Sequence, residues 1–116
     1  MSIRQEKFAR LLQREISIMF QEKTQSWFEG IMYMVNEVAV SPDLGSAKIY
    51  IGFLSNKSKG ECMAQLDYYA KDIRKLLATR IKDQVKKIPE LHFIYDDTLE
   101  KAMKMEELLK KLNHPE

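Results

Sequence analysis

The chain has 116 residues, enough for one domain with its own core and too few for two ordinary domains. An apolar fraction of 45% and a charged fraction of 31% exclude a disordered or fibrous protein, and a net charge of +2 does not by itself indicate a nucleic-acid binder. One cysteine excludes an internal disulfide, and the longest apolar run, Ile31 to Val35, is far shorter than the roughly 20 residues of a membrane span, so we expect a cytoplasmic protein with no membrane partner.

The first half of the chain is predicted to form a helix followed by a β-hairpin. Residues 2 to about 22 show apolar side chains at helical spacing on one face and basic side chains on another. The apolar set is Phe8, Leu12, Ile16 and Met19, and the basic set is Arg4, Lys7, Arg10 and Arg14. Two strands, residues 31–41 and 47–54, flank a segment rich in turn-forming residues. We expect Met34, Val38 and Val40 on one side of the first strand, and Ala47, Ile49, Ile51 and Phe53 on one side of the second.

The second half is predicted to contain a long helical region, a short strand and a last helix. Residues 61–88 show helical character throughout, and Pro89 is expected to end that run. A strand at residues 91–95 follows, and Asp97 with Glu100 resembles the capped start of a helix over about residues 98–116. Three short strands with helices on one face predict an α+β fold in a single domain covering residues 1–116.

The residues that most often carry catalysis are few and scattered. Cys62 has no histidine near it in sequence, and a buried apolar role is the simpler interpretation. His92 lies in a predicted strand, and His114 is expected to be disordered at the chain end. Asp96 and Asp97 are interpreted as a helix cap and its neighbour rather than as a metal or acid–base pair. We therefore predict a protein that is not an enzyme and has neither a metal nor a cofactor.

Basic residues are concentrated between Ala70 and Pro89, where seven cations stand against two acids. These cations are Lys71, Arg74, Lys75, Arg80, Lys82, Lys86 and Lys87, and the acids are Asp72 and Asp83. Lys71, Lys75, Lys82 and Lys86 have the spacing of one helical face, which on spacing alone is as consistent with a solvated surface as with binding. Few acids interleave with this face, and the first helix offers a second basic face. Together the two faces favour contact with an RNA backbone.

Two segments resemble the ribosome-binding factor A family of bacteria. The first is the run from Val35 to Ile51, VNEVAVSPDLGSAKIYI, and the second is the run from Ile88 to Thr98, IPELHFIYDDT. The resemblance implies a KH-like fold of the second type, α-β-β-α-α-β, here with an additional C-terminal helix. It also implies a factor that binds the immature small (30S) ribosomal subunit and its 16S rRNA, assists late maturation and then leaves. We expect the protein to be a monomer off the ribosome.

The chain departs from that family at the kink between the two central helices. The family has an Ala-x-Gly motif there, whereas the nearest match in this chain is Ala70-Lys71-Asp72. A carboxylate at the start of a helix caps its amides and repels phosphate. We therefore expect Asp72 to act as a cap and the surrounding lysines and arginines to contact RNA.

Two other functions are compatible with the sequence. One is an α+β interaction module that acts through dimerisation by its sheet or last helix. The other is a small enzyme that uses Asp96, Asp97 and His92.

Overall fold

The computed structural model describes residues 2–112, which form three helices and a three-stranded sheet. The elements in chain order are α1 (Ile3–Glu22), β1 (Met32–Val40), β2 (Ser46–Leu54), α2 (Lys59–Ile81), β3 (Glu90–Tyr95) and α3 (Thr98–Leu112). The strand order is β1-β2-β3, with β1 and β2 antiparallel and β2 and β3 parallel. The prediction for His114 and the last four residues of the predicted C-terminal helix lie outside the described residues.

Helix α1 begins with a capping box formed by Ser2 and Gln5. The Ser2 hydroxyl accepts the Gln5 backbone N–H at 3.1 Å, and the Gln5 side chain accepts the Ser2 backbone N–H at 3.0 Å. The same Gln5 side chain donates to the Val40 carbonyl at 2.9 Å, and Gln13 donates to the Val35 carbonyl at 3.2 Å. These bonds fix α1 along β1, so its start lies beside the turn of the hairpin.

A β-bulge in β1 decides which side chains of that strand enter the core. The pairing register with β2 shifts between Val35 and Glu37, so one extra residue stands on the β1 side. Tyr33 is buried before the bulge, and Val38 and Val40 are buried after it, whereas Met34 is only half-buried. The prediction that Met34 shares a side with Val38 and Val40 is wrong, because the inserted residue places Met34 on the opposite side of the strand. Strict alternation of side chains along the sequence does not reveal such an insertion. The predicted burial of Ala47, Ile49 and Ile51 in β2 is confirmed.

The core lies between the sheet and the two helices α1 and α2. Phe8, Leu12, Ile16 and Met19 of α1 are all buried, as predicted. From α2 the core receives five side chains at helical spacing: Cys62, Leu66, Ile73, Leu77 and Ile81. Helix α3 contributes none, and its large apolar side chains stay exposed. The radius of gyration is accordingly 16.6 Å, against about 13 Å expected for a compact chain of this length.

The central helical region differs from the prediction in two ways. Helix α2 is one unbroken helix through Ala70, Lys71 and Asp72, so the predicted pair of helices and the cap at Asp72 are wrong. Ser58 is the actual cap, accepting the Glu61 backbone N–H at 3.2 Å. The helix also ends at Ile81 rather than at residue 88, and residues 82–89 form a connector to β3. That connector is needed because β3 must return alongside β2 in the parallel direction.

No helix between residues 2 and 112 combines the length and the apolar character that a membrane crossing requires.

Candidate nucleic-acid interface

The connector after α2, residues 82–89, brings two lysines of the central region beside the first helix. Lys86 and Lys87 lie in this connector, not on the helix, so Lys86 does not continue the predicted face of Lys71, Lys75 and Lys82. Arg74 holds the connector in place, because its guanidinium donates to the Ile88 carbonyl at 2.9 Å and to the Pro89 carbonyl at 3.1 Å. Arg74 therefore positions the surface, and these bonds occupy part of its donor set.

A cleft of about 460 Å³ opens between α1, the hairpin turn and the connector. Its cations come from two distant parts of the sequence: Arg4 and Lys7 from α1, and Lys86 and Lys87 from the connector. Its apolar lining is Phe8, Leu11, Leu44 and Val85. We call this the first cleft. It combines a positive rim with an apolar floor.

One carboxylate, Asp43, also lines the first cleft. Its Oδ1 accepts the Ser41 hydroxyl at 2.7 Å and the Gly45 backbone N–H at 2.9 Å. These two hydrogen bonds, with a smaller contribution from the nearby Lys87 ammonium, hold the pKa of Asp43 below its usual range. Asp43 is therefore ionised at neutral pH and shapes the turn, in which Leu44 adopts a left-handed conformation with φ 59°.

A second cleft of about 570 Å³ lies on the other side of the connector. It is lined by Lys71, Arg74, Lys75 and Ala78 of α2 together with Lys87 and Ile88. Lys87 lines both clefts, which makes them neighbours along one surface. The cations Arg4, Lys7, Lys71, Lys75 and Lys86 are all exposed along it. We call this continuous surface the basic surface.

Several predicted cations do not belong to the basic surface. Arg80 is half-buried between helices, with its guanidinium 2.9 Å from the Glu15 carboxylate and 3.7 Å from that of Glu22. The positive charge of Arg80 is thus paired with carboxylates of α1. Arg10, Arg14 and Lys82 are exposed but line neither cleft, and Arg14 lies 3.9 Å from Glu15.

Of the three residues at the predicted kink, one belongs to the basic surface. Lys71 lines the second cleft, while Ala70 is half-buried within α2 and Asp72 is exposed. The unbroken helix leaves no free backbone amides at this point to hold a phosphate, since amides in a helix interior already donate to carbonyls. A phosphate at this point would therefore meet side chains rather than backbone amides.

The carboxylates of the rival catalytic site have structural partners. Asp96 accepts the Thr98 hydroxyl and backbone N–H and the Asn36 amide, and these bonds lower its pKa. Asp97 holds the N-cap position of α3, where its carbonyl accepts the Lys101 backbone N–H at 2.9 Å and its carboxylate lies 3.4 Å from the Lys101 ammonium, while the Asp96 carboxylate accepts the first amide of the helix. His92 faces Glu90 at 3.9 Å and lies four residues from Asp96 along an extended strand, roughly 13 Å away. The structure does not bring the three residues together.

Cys62 is buried, as expected of a small apolar side chain. Its carbonyl accepts the Tyr33 hydroxyl at 2.7 Å. Burial, and secondarily the proximity of Cys62, raise the pKa of Tyr33. Tyr33 is therefore neutral and packs in the core.

Within residues 2–112 no group of three or more His, Cys, Asp and Glu side chains is arranged to hold a metal ion.

Sequence reasoning also missed an aromatic residue on the outer face of α2. Tyr68 stands three residues before Lys71 and seven before Lys75, a spacing that shares their helical face. This spacing is the signal in the sequence that identifies it. The structure shows Tyr68 to be 78% exposed.

The comparisons with known proteins agree on one family. A family model described as ribosome-binding factor A matches residues 4–109. Ribosome-binding factor A of Prosthecochloris aestuarii is 43% identical over 117 aligned positions, covering 99% of this chain and 94% of the relative. That of Cytophaga hutchinsonii is 34% identical over 114 positions, covering 98% of this chain and 86% of the relative.

Solved structures with this fold carry the same description. The crystal structure of ribosome-binding factor A from Thermus thermophilus has a TM-score of 0.64 at 16% identity, covering 78% of this chain and 94% of that one. A homology model of the Thermus factor, fitted into a cryo-EM map of its complex with the 30S subunit, has a TM-score of 0.59 at 20% identity, covering 76% and 90%. The predicted α+β fold is confirmed by these similarities.

Proposed function

This chain belongs to the ribosome-binding factor A family, and from that membership we propose that it binds the immature small (30S) ribosomal subunit, contacts 16S rRNA, and assists late maturation without catalysing a reaction. The homology model of the Thermus factor, fitted into a 30S complex, supports the choice of subunit. The proposal places residues 1–116 in one ribosome-binding domain, cytoplasmic and monomeric when off the ribosome.

The observation that carries the RNA contact is the sharing of Lys87 by the two clefts. Arg4, Lys7 and Lys86 stand on one side of it, and Lys71 and Lys75 on the other. Within residues 2–112 none of these six cations forms an ion pair with a carboxylate, so their charge is available to a phosphate backbone. Because the net charge of the chain is only +2, the attraction for RNA comes from this local concentration of cations rather than from the total charge.

Co-sedimentation tests the choice of partner. The protein should sediment with free small subunits and much less with intact ribosomes. The triple variant Lys71→Glu, Lys75→Glu, Lys86→Glu should lose this association while keeping its circular dichroism spectrum and its unfolding midpoint. A triple variant on α3, Lys101→Glu, Lys104→Glu, Lys110→Glu, controls for overall charge. If the first variant still sediments with the subunit at physiological salt, the basic surface is a solvated face and the proposal is wrong.

Helix α3 favours a second candidate function, an interaction module that dimerises. Its apolar side chains are exposed without a partner among residues 2–112, including Met103 at 56%, Met105 at 56% and Leu112 at 70%. A second copy of the chain would cover them by pairing the two helices. Sedimentation velocity over a range of protein concentrations distinguishes the two candidates. A concentration-dependent dimer without affinity for small subunits supports the second candidate and contradicts the first.

A further inference from the structure

Tyr68 is an exposed aromatic side chain at one end of the lysines of α2. It is 78% exposed, which is unusual for a ring of this size on a folded surface. Because α2 is unbroken here, Tyr68, Lys71 and Lys75 lie along one face, with Lys75 about 10 Å along the axis from Tyr68. Tyr68 therefore stands about one helical turn before Lys71, the first residue of α2 to line the second cleft.

The Tyr68 ring contacts one other aromatic ring, that of Tyr69. Its centroid is 4.9 Å from that of Tyr69, at an interplanar angle of 85°. Tyr69 in turn stacks on Trp27 at 5.1 Å and 7°, and meets the fully buried Phe28 at 5.9 Å. A series of ring contacts thus runs from the core to the surface. A ring held in this way loses little conformational entropy when a ligand covers it.

At least one face of the Tyr68 ring is free to accept a ligand. In an edge-to-face pair, one ring presents its edge and the other presents a single face. Whichever part Tyr68 plays against Tyr69, one of its two faces stays open, in agreement with its exposure. A flat, open π-face suits a flat ligand such as a nucleobase.

The lysines that share the helical face of Tyr68 favour a nucleic acid over an apolar protein partner. Lys71 and Lys75 follow it on the same face, and the Lys23 ammonium lies 4.9 Å above the Trp27 ring behind it. Asp67 and Asp72 are also close in sequence and exposed. Phosphates would therefore pass on the lysine side of the ring, towards the second cleft.

We propose that Tyr68 is a stacking platform for an unpaired base of single-stranded RNA, whose backbone continues along Lys71 and Lys75 into the second cleft. The identity of the RNA rests on the proposed function, but the stacking does not. Bases within a duplex are already stacked on both faces and cannot reach the ring, whereas an unpaired base can. The site therefore selects single-stranded RNA by shape, without reading its sequence.

The test compares two ring variants on two forms of one RNA. Fluorescence anisotropy would measure binding to a short unstructured RNA and to the same RNA annealed to its complement. Tyr68→Ala should bind the single strand about tenfold more weakly than the wild type, with little change for the duplex. Tyr68→Phe keeps the ring and should bind both forms as the wild type does. Since Tyr68 is exposed, neither change should move the unfolding midpoint.

Salt dependence separates stacking from charge. Tyr68→Ala should leave the slope of log affinity against log salt unchanged, whereas Lys75→Gln should reduce its magnitude by about 0.7. Asp72→Asn should tighten binding of the single strand if phosphates pass this turn of α2.

Two results would overturn the stacking proposal. One is equal affinity of Tyr68→Ala and the wild type for the single strand. The other is a loss of small-subunit association in Tyr68→Ala without any loss for free RNA, which would assign the ring to a protein contact. Failure of the wild type to co-sediment with small subunits would instead contradict the proposed function, and the free-RNA comparison would still decide the role of Tyr68.

Discussion

Lys87 is the residue through which the two clefts of the basic surface are joined. It reaches both clefts because it lies in the connector, where the backbone has left the helical path. It also stands near the ionised Asp43, whose pKa it helps to lower. A single side chain thus links cations from α1 with cations from α2.

Loss of the Lys87 charge should weaken RNA binding and its salt dependence together. Lys87→Gln is expected to reduce the magnitude of the slope of log affinity against log salt by about 0.7, because one fewer counterion is released. Fluorescence anisotropy over a range of KCl concentrations measures the slope. Lys110→Gln on α3 is the matched control and should leave it unchanged. Identical slopes for the two variants would show that Lys87 makes no phosphate contact.

Arg80 illustrates how a cation can belong to the fold instead of the interface. Its pairing with Glu15, a carboxylate only 13% exposed, bridges α1 and α2. Arg80→Met leaves that carboxylate with only the more distant Arg14, 3.9 Å away, and should lower the free energy of unfolding by about 2 kcal/mol. Urea denaturation measures this loss, and the exposed Arg10→Met should change the free energy by less than about 0.5 kcal/mol. Loss of RNA affinity in Arg80→Met without destabilisation would contradict this assignment.

At the scale of elements, a side-chain hydrogen bond joins β3 to α3. The Tyr95 hydroxyl donates to the Glu100 carboxylate at 2.7 Å, which raises the pKa of Tyr95 to about 12 and lowers that of Glu100. The bond needs a protonated phenol and an ionised carboxylate. Its stabilising effect is therefore complete between the two unfolded-state pKa values. It should be lost as the pH falls through the lowered pKa of Glu100, and again as the pH rises from about 10 to 12.

Titration of the tyrosines tests this junction. Absorbance near 295 nm should show one tyrosine ionising close to pH 12, and this transition should return towards pH 10 in Glu100→Gln. Glu107→Gln, further along α3, is the control and should leave the transition in place. A Tyr95 transition near pH 10 in the wild-type protein would mean that the hydrogen bond is not formed in solution.

At the scale of the whole molecule, the core and α3 are energetically separable. Every buried side chain of the core comes from the elements before α3 or from their connections, and α3 contributes none. A chain ending at Asp97 should therefore unfold at nearly the same urea concentration as the full chain, and should bind single-stranded RNA equally well. Denaturation and anisotropy measurements on the two chains provide the comparison. A large drop in the unfolding midpoint would show that α3 packs on the core in solution.

Much of the fold was predictable because local patterns dictate it. Helical spacing in α1 and alternation in β2 each identify a buried face correctly, since burial of apolar side chains drives both. The bulge in β1 was not predictable, because an inserted residue is recognised only through its pairing with β2. The end of α2 was misplaced for a similar reason. Helical spacing persists to residue 88, but the return to β3 requires the chain to leave the helix at Ile81.

The sequence by itself determined the order of the elements, the buried faces of α1 and β2, the concentration of cations after Ala70 and the family resemblance. Only the tertiary structure decided which cations share a surface. A helical wheel relates residues about one axis, whereas a cleft is formed by elements that are distant in sequence. The connector brings Lys86 and Lys87 beside Arg4 and Lys7, while hydrogen bonds and ion pairs commit Arg74 and Arg80 to the fold. The unbroken α2, in turn, aligns Tyr68 with Lys71 and Lys75, the lysines of this helix that line the second cleft.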